Sequence, residues 1–250
     1  YRSDPFGRRI SKSVTKDAAT QVTYFVYSEQ ALMGELDKDG KLQRAYGFNP
    51  VAGQQGLWST DPVWQAEAVN SDLASSQTGY HYLHTDHLGT PHMATDNAGV
   101  TTWKAIAESF GATEAVENSV QVNLRFPGHY FDNEFGNNYN FLRIYKPKFG
   151  RYLQQDPLGI YGGINNYVYA NINPLTFMDF AGEIAVAPII VWGLPVVGGL
   201  VYGLTRKAPR LPPPFSGGGS DENTGGEPWP KENKAACIRT YANCVNYGWG

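Results

Sequence analysis

The strongest constraint on this chain is a strand-length pattern that repeats. Residues 24–50, YFVYSEQALMGELDKDGKLQRAYGFNP, read as strand, turn, strand, turn, strand. Tyr24 and Val26 recur at period two, the spacing at which side chains share one face of a pleated strand. Asp39-Gly40 is the hairpin signal, because glycine reaches the positive φ that tight turns between antiparallel strands need. A second such unit spans 79–106, GYHYLHTDHLGTPHMATDNAGVTTWKAI, with Tyr80 and Tyr82 in alternation and Asn97 to Gly99 as its turn. A unit of this size cannot bury a face alone. The pattern therefore predicts a meandering sheet in which each unit leans on the next. Residues 50–78 are irregular and rich in Gln, Ser and Gly, which predicts a long loop or insertion.

Composition agrees with a mainly β chain. Aromatic residues make up 14%, with 16 Tyr and 28 Gly, and charged residues only 17%. The formal net charge of -3 gives no electrostatic reason to expect nucleic acid or an anionic membrane as a partner. Tyr139, Tyr145, Tyr152, Tyr167 and Tyr169 are read as sheet packing, since no basic stripe accompanies them. Cys237 and Cys244 are the only cysteines, so no disulfide framework builds the body of the chain.

Three long strings carry a resemblance. YRSDPFGRRISK, at 1–12, resembles the opening of a YD repeat. YHYLHTDHLGTPHMATDNAGVTTW, at 80–103, resembles a signature near the end of bacterial Rhs proteins. RFPGHYFDNEFGNNYNFLRIYKPKFGRYLQQDPLGIYGGINNYVYANINPLTFMDFAGE, at 125–183, resembles the Rhs repeat-associated core shared with the C component of insecticidal Tc toxins. The resemblance covers roughly residues 1–183 and implies an antiparallel β-shell segment ending in a core plug. Its domains would be repeats over 1–110, the core over 111–183, an apolar segment with a basic flank over 184–210, and a Pro/Gly linker with a short tail over 211–250. It further implies a piece of a longer bacterial protein, secreted or delivered to a cell surface. The shell would enclose its own C-terminal segment, often a toxin used in competition between bacteria. Partners implied are the upstream repeats, that enclosed segment, a secretion apparatus and an immunity protein. No cofactor is implied.

In many members of the family the core is an aspartyl-type autoprotease. The resemblance places Asp156 and Asp179 in the catalytic positions and Arg151 as an assisting cation, with cleavage between Glu183 and Ile184. The chemistry needs two carboxyls close enough that one stays protonated while the other ionises. Read from the residues alone, Asp156-Pro157 and Asp179 are turn formers. The family ending is Asp-Pro-x-Gly-Leu. Here Phe180 replaces the proline and Glu183 the leucine, which brings a third carboxyl to the site.

His81, His84, Asp86, His87 and His92 are dense enough to raise a metal reading. On a strand, however, His81 and His87 share one face and His84 takes the other, so a turn network bonded to backbone is preferred and no metal is assigned. Gly162, Gly163, Asn165, Asn166, Asn171 and Asn173 are read as structural, suiting tight turns. Ile184 to Leu204 is uncharged and long enough to span a bilayer, with Arg206, Lys207 and Arg210 after it. It reads equally as enclosed cargo or shell-lining chain. Residues 211–230 are expected to be irregular. Three functions follow: a self-cleaving plug of a toxin-enclosing shell, a non-catalytic repeat interaction protein, or a membrane-active C-terminal effector.

Overall fold

The computed structural model describes residues 1–29, 31–54 and 57–186. The chain divides into two units, Tyr1–Arg206 and Lys207–Gly250, and the described residues all belong to the first. The expectations for the apolar run from 187 on, the linker, Cys237 and Cys244 lie outside them. Among the described residues, no helix is long and apolar enough to cross a membrane.

Ten strands form one antiparallel sheet: β1 (Arg2–Ser3), β2 (Arg9–Lys16), β3 (Ala19–Tyr27), β4 (Leu32–Leu36), β5 (Leu42–Phe48), β6 (Pro62–Glu67), β7 (Gly79–Thr85), β8 (Pro91–Thr95), β9 (Thr101–Ala107) and β10 (Thr113–Asn118). Their spatial order is their chain order. A second sheet holds β11 (Tyr130–Asp132), β12 (Asn137–Asn140), β13 (Arg143–Lys146) and β14 (Arg151–Tyr152), again in chain order. The one described α-helix, α1, is the five-residue Pro50–Gln54. The expected antiparallel, strand-dominated fold is what the chain adopts. One stretch differs. Residues 50–78 were expected to be an irregular loop, yet β6 lies within them and pairs with both β5 and β7. Its alternation is hidden because Gln65 and Ala66, neighbours on opposite faces, are both buried. Gln65 tolerates this by donating its amide to the Gln121 carbonyl and the Glu67 carboxylate.

One turn recurs along the sheet. In Asp37-Lys38-Asp39-Gly40-Lys41 the Asp37 amide donates to the Lys41 carbonyl, and the Gly40 amide donates back to the Asp37 carbonyl. Oδ1 of Asp37 then accepts the amides of Asp39 and Lys41, both at 2.9 Å. The same pattern closes Asp4 to Arg8, Asp86 to Thr90 and Asp96 to Val100. The fourth residue is always a glycine at positive φ, between 76° and 88°. One carboxylate oxygen thus satisfies two backbone donors, and the other is left to point elsewhere.

The two sheets share a core. Phe25, Leu32, Tyr46, Leu83 and Trp103 from the large sheet pack with Val122 and Leu124 and with Tyr130 and Tyr139 of the small one. On β9, Trp103 and Ala105 turn inward while Lys104 and Ile106 turn out. A buried ion pair pins the contact: Arg9 of β2 forks onto Asp132 of β11, with both N···O distances 2.6 Å. The Arg9 guanidinium also lies 4.0 Å from the Tyr139 ring centroid. A second, aromatic core of Phe126, Tyr145, Tyr152 and Tyr169 encloses His129 beneath the small sheet.

Candidate active site

Asp156 and Asp179 stand 23 residues apart in sequence, and each heads a turn that keeps part of the sheet's turn pattern. Asp156 opens Asp156-Pro157-Leu158-Gly159. Its Oδ1 accepts the Leu158 amide at 2.8 Å and its carbonyl accepts the Gly159 amide. Asp179 opens Asp179-Phe180-Ala181-Gly182-Glu183, and its Oδ1 accepts the Glu183 amide at 2.9 Å. Gly159 and Gly182 hold φ of 58° and 71°. The turn reading and the catalytic reading therefore describe the same two residues through different oxygens. Oδ1 builds the turn, and Oδ2 faces inward.

Both Oδ2 atoms meet one guanidinium. Arg143 Nη1 lies 3.0 Å from Asp156 and Nη2 lies 2.8 Å from Asp179. Arg143 itself is buried and its guanidinium carbon lies 3.6 Å from the centroid of the Tyr152 ring. The Tyr152 hydroxyl donates to Asp179 Oδ2 at 2.9 Å. The cation expected here was Arg151, and this is corrected. In β14, Tyr152 is buried and Arg151 exposed, and the register pairs Tyr152 with Tyr145 and Arg151 with Lys146. Period two thus sends Arg143, Tyr145 and Tyr152 inward and Arg151 out, where its guanidinium lies 5.1 Å from the Tyr167 ring. Among the described residues Arg151 forms no ion pair with either carboxylate.

Asp179 is 2% exposed and Asp156 is 7% exposed. Burial is the main influence raising the Asp156 carboxyl above its ordinary value. The Leu158 amide and Arg143 oppose it, and Asp179 adds to it. A cleft of about 220 Å³ opens beside the pair, lined by Arg143, Asp156, Asp179, Glu183 and the 162–172 segment. Three consecutive residues of that segment, Ala170, Asn171 and Ile172, hold φ of 49°, 54° and 63°. Left-handed backbone is unfavourable for any side chain and most of all for a β-branched one, so this wall is strained. Gly162 presses directly on the site, since a Cβ there would fall 2.6 Å from the Asp156 carboxylate.

The expected cleavage position lies on the same turn. After Glu183 the chain passes Ile184 and Ala185, and Val186 pairs with Met178 through two backbone hydrogen bonds of 2.7 and 2.9 Å. The 183–184 peptide is thereby held in a short loop closed by Met178 and Val186, with Asp179 inside it. Glu183 is half-buried, and its carboxyl is raised above the ordinary glutamate value by burial and by Asp179 and Asp156, with Arg143 opposing.

The histidines do other things. His81 pairs with Thr102, His84 with Thr95, and His87 with the Leu175 carbonyl, while His92 lies 3.4 Å from Asp86. His129, which no sequence signal singled out, is fully enclosed, and burial lowers its imidazole pKa to about 3.

The RHS protein family model matches residues 81–116. The chain is 33% identical over 205 residues to the double-stranded DNA deaminase toxin A of Burkholderia cenocepacia, covering 75% of this chain and 14% of that one. It is 32% identical over 208 residues to the toxin protein Tse5 of Pseudomonas aeruginosa, covering 77% and 16%. It therefore spans about one-sixth or less of the length of these relatives. Among solved structures it superposes on the Photorhabdus luminescens Tc holotoxin pore with a TM-score of 0.55 and 19% identity, over 74% of this chain and 9% of that one. A TcdB2-TccC3 crystal structure matches with a TM-score of 0.53 and 19% identity, over 73% and 9%. With its repeats, its mainly antiparallel fold and its sequence kinship in agreement, this chain belongs to the Rhs family.

Proposed function

We propose that this segment closes a toxin-enclosing Rhs shell and cuts its own chain between Glu183 and Ile184, freeing the segment that follows. The observation that carries the reading is the convergence of two turn carboxylates on Arg143, beside a loop that holds the 183–184 peptide. Asp179, addressed by Arg143, Tyr152 and the Glu183 amide, takes a proton from water. That water's oxygen bonds to the Glu183 carbonyl carbon. Asp156, whose carboxyl burial favours in its neutral form, gives its proton to the Ile184 nitrogen as the carbon–nitrogen bond breaks. The products are a carboxylate at 183 and, once the new acid's proton passes to the freed amine, an ammonium at 184, and the single cut leaves Asp179 protonated and Asp156 ionised. No cofactor enters this scheme.

The relatives named as toxins support a toxin role for the parent protein, as a bacterial protein secreted or delivered to a cell surface. Upstream repeats would complete the shell, and a secretion apparatus and an immunity protein would be its external partners. The membrane-active reading rests on residues beyond those described. The test is the mass of the purified full-length gene product. A split near residue 183 that is lost in both Asp156→Asn and Asp179→Asn is expected, because an amide can neither activate water nor pass on a proton. Unchanged processing in both variants removes the aspartyl mechanism. A product that stays intact under all conditions leaves the second reading, a non-catalytic interaction module that keeps the fold without the chemistry.

A further inference from the structure

The third carboxyl at the site is the feature that self-cleavage does not require. Glu183 carries it on the very residue whose carbonyl would be attacked. The groups facing it are Asp179 from its own turn, Asp156 from the turn after β14, and Arg143 from β13. Tyr152 of β14 reaches the cluster through Asp179. The rest of the cleft, from residues 162–172 and Ala185, is uncharged. Among the described residues one guanidinium, paired with Asp156 and Asp179, is thus the single cation lining a cleft that holds three carboxyls. With all three ionised the cleft carries a net charge of about -2, in a half-buried place where water screens it poorly.

Attack on the Glu183 carbonyl places a developing negative charge on its oxygen, close to the residue's own side chain. A negative side chain opposes that charge, and a neutral acid can donate to it, as oxyanion-stabilising groups do. The position of the glutamate therefore matters more than its presence in the cluster. We infer that Glu183 is a built-in acid gate on self-cleavage: ionised, it holds the 183–184 bond intact, and neutral, it lets the cut proceed. This rests on the aspartyl reading above. The raised carboxyl of Glu183 puts the transition above the range of an ordinary exposed glutamate. The covalent step is unchanged. Only the fraction of molecules competent for it varies with pH.

The test follows cleavage of the full-length gene product, made and purified near pH 8 and then shifted to points between about pH 8 and about pH 5. Intact mass and gel bands read the rate for wild type, Glu183→Gln, Glu183→Leu and Asp156→Asn. Wild type is expected to cut faster as pH falls. Glu183→Gln and Glu183→Leu are expected to cut about tenfold or more faster than wild type near pH 8, and to gain less than wild type on acidification, since only the protonation of Asp156 then remains to be completed. Asp156→Asn is expected to stay whole throughout. Wild type intact at every pH with Glu183→Leu cut would overturn the gate, because a neutral Glu183 should let the cut proceed. If both Glu183 variants keep the wild-type pH profile while Asp156→Asn is inert, the gate is wrong and the aspartyl reading stands. If Asp156→Asn cuts as wild type does, the aspartyl reading falls and takes the gate with it. If no variant cuts at any pH, both are wrong.

Discussion

Arg143→Met isolates what the shared guanidinium contributes. Methionine keeps much of the apolar bulk over Tyr152 but removes the cation. The variant leaves Asp156 and Asp179, 7% and 2% exposed, without their common partner. Breaking a buried ion pair from one side costs about 3–5 kcal/mol. Two pairs are lost here, yet the cost should not double. Asp156 is already inclined toward its neutral form and can escape by taking a proton, so the penalty falls chiefly on Asp179. The expected loss is therefore about 3–5 kcal/mol, of the order of 6–20 °C in melting temperature for a domain of this size. Urea denaturation followed by tryptophan fluorescence measures it. Adding Asp156→Asn and Asp179→Asn to Arg143→Met should recover most of the loss, because an unpaired amide is far cheaper to bury than an unpaired charge. Either of two results would refute the reasoning: Arg143→Met within about 1 kcal/mol of wild type, or a triple variant no more stable than the single.

Two further expectations follow. His129 is held neutral in an aromatic enclosure, with its pKa lowered from 6.5 to about 3, so the unfolded chain binds the proton more readily and stability falls as pH drops below about 6.5. The loss is about 2 kcal/mol by pH 5 and levels off near pH 3; urea midpoints at pH 7 and pH 5 should show His129→Phe losing this slope, and an unaltered slope would assign it elsewhere. Gly162→Ala should slow self-cleavage by about tenfold or more with a smaller effect on melting temperature, since its Cβ would press on the Asp156 carboxylate; wild-type cleavage in that variant would mean the carboxylate has room to move.

Much of the fold was legible because its signals are local. Asp39-Gly40 and Asn97 to Gly99 announce hairpins within a few residues, and Tyr80 and Tyr82 announce a strand by period alone. The missed strand, β6, has no such signature, because its buried Gln65 reads as a surface residue until the Gln121 carbonyl is seen beside it. At the site, Asp156 and Asp179 were found through family strings and not through spacing. The cation was misplaced for a physical reason. Arg151 is closer to Asp156 in sequence, but only the register between β13 and β14 tells which arginine faces inward. A side chain's face depends on pairing, and pairing is not a property of either strand alone. His129 was missed for the same reason: its enclosure comes from Phe126, Tyr145 and Tyr169, which meet around it only after the small sheet forms.

The strictly sequential order of the large sheet also bears on how this protein is made. Each strand finds its partner among residues that have just left the ribosome, so closing each hairpin needs only a short loop. The sheet can grow in the direction of synthesis, one strand at a time. Seating the small sheet is a different event, because Arg9 must meet Asp132, 123 residues later, before their charges are matched. Until then Phe25, Tyr46 and Trp103 lack the covering that Tyr130 and Tyr139 supply. The late docking of residues 119–152 onto the large sheet is therefore expected to be slower than growth of that sheet, because its contacts close a far longer loop. Asp156 and Asp179 come together only on that docked platform, so the proposed cutting site would be among the last parts of the fold to assemble.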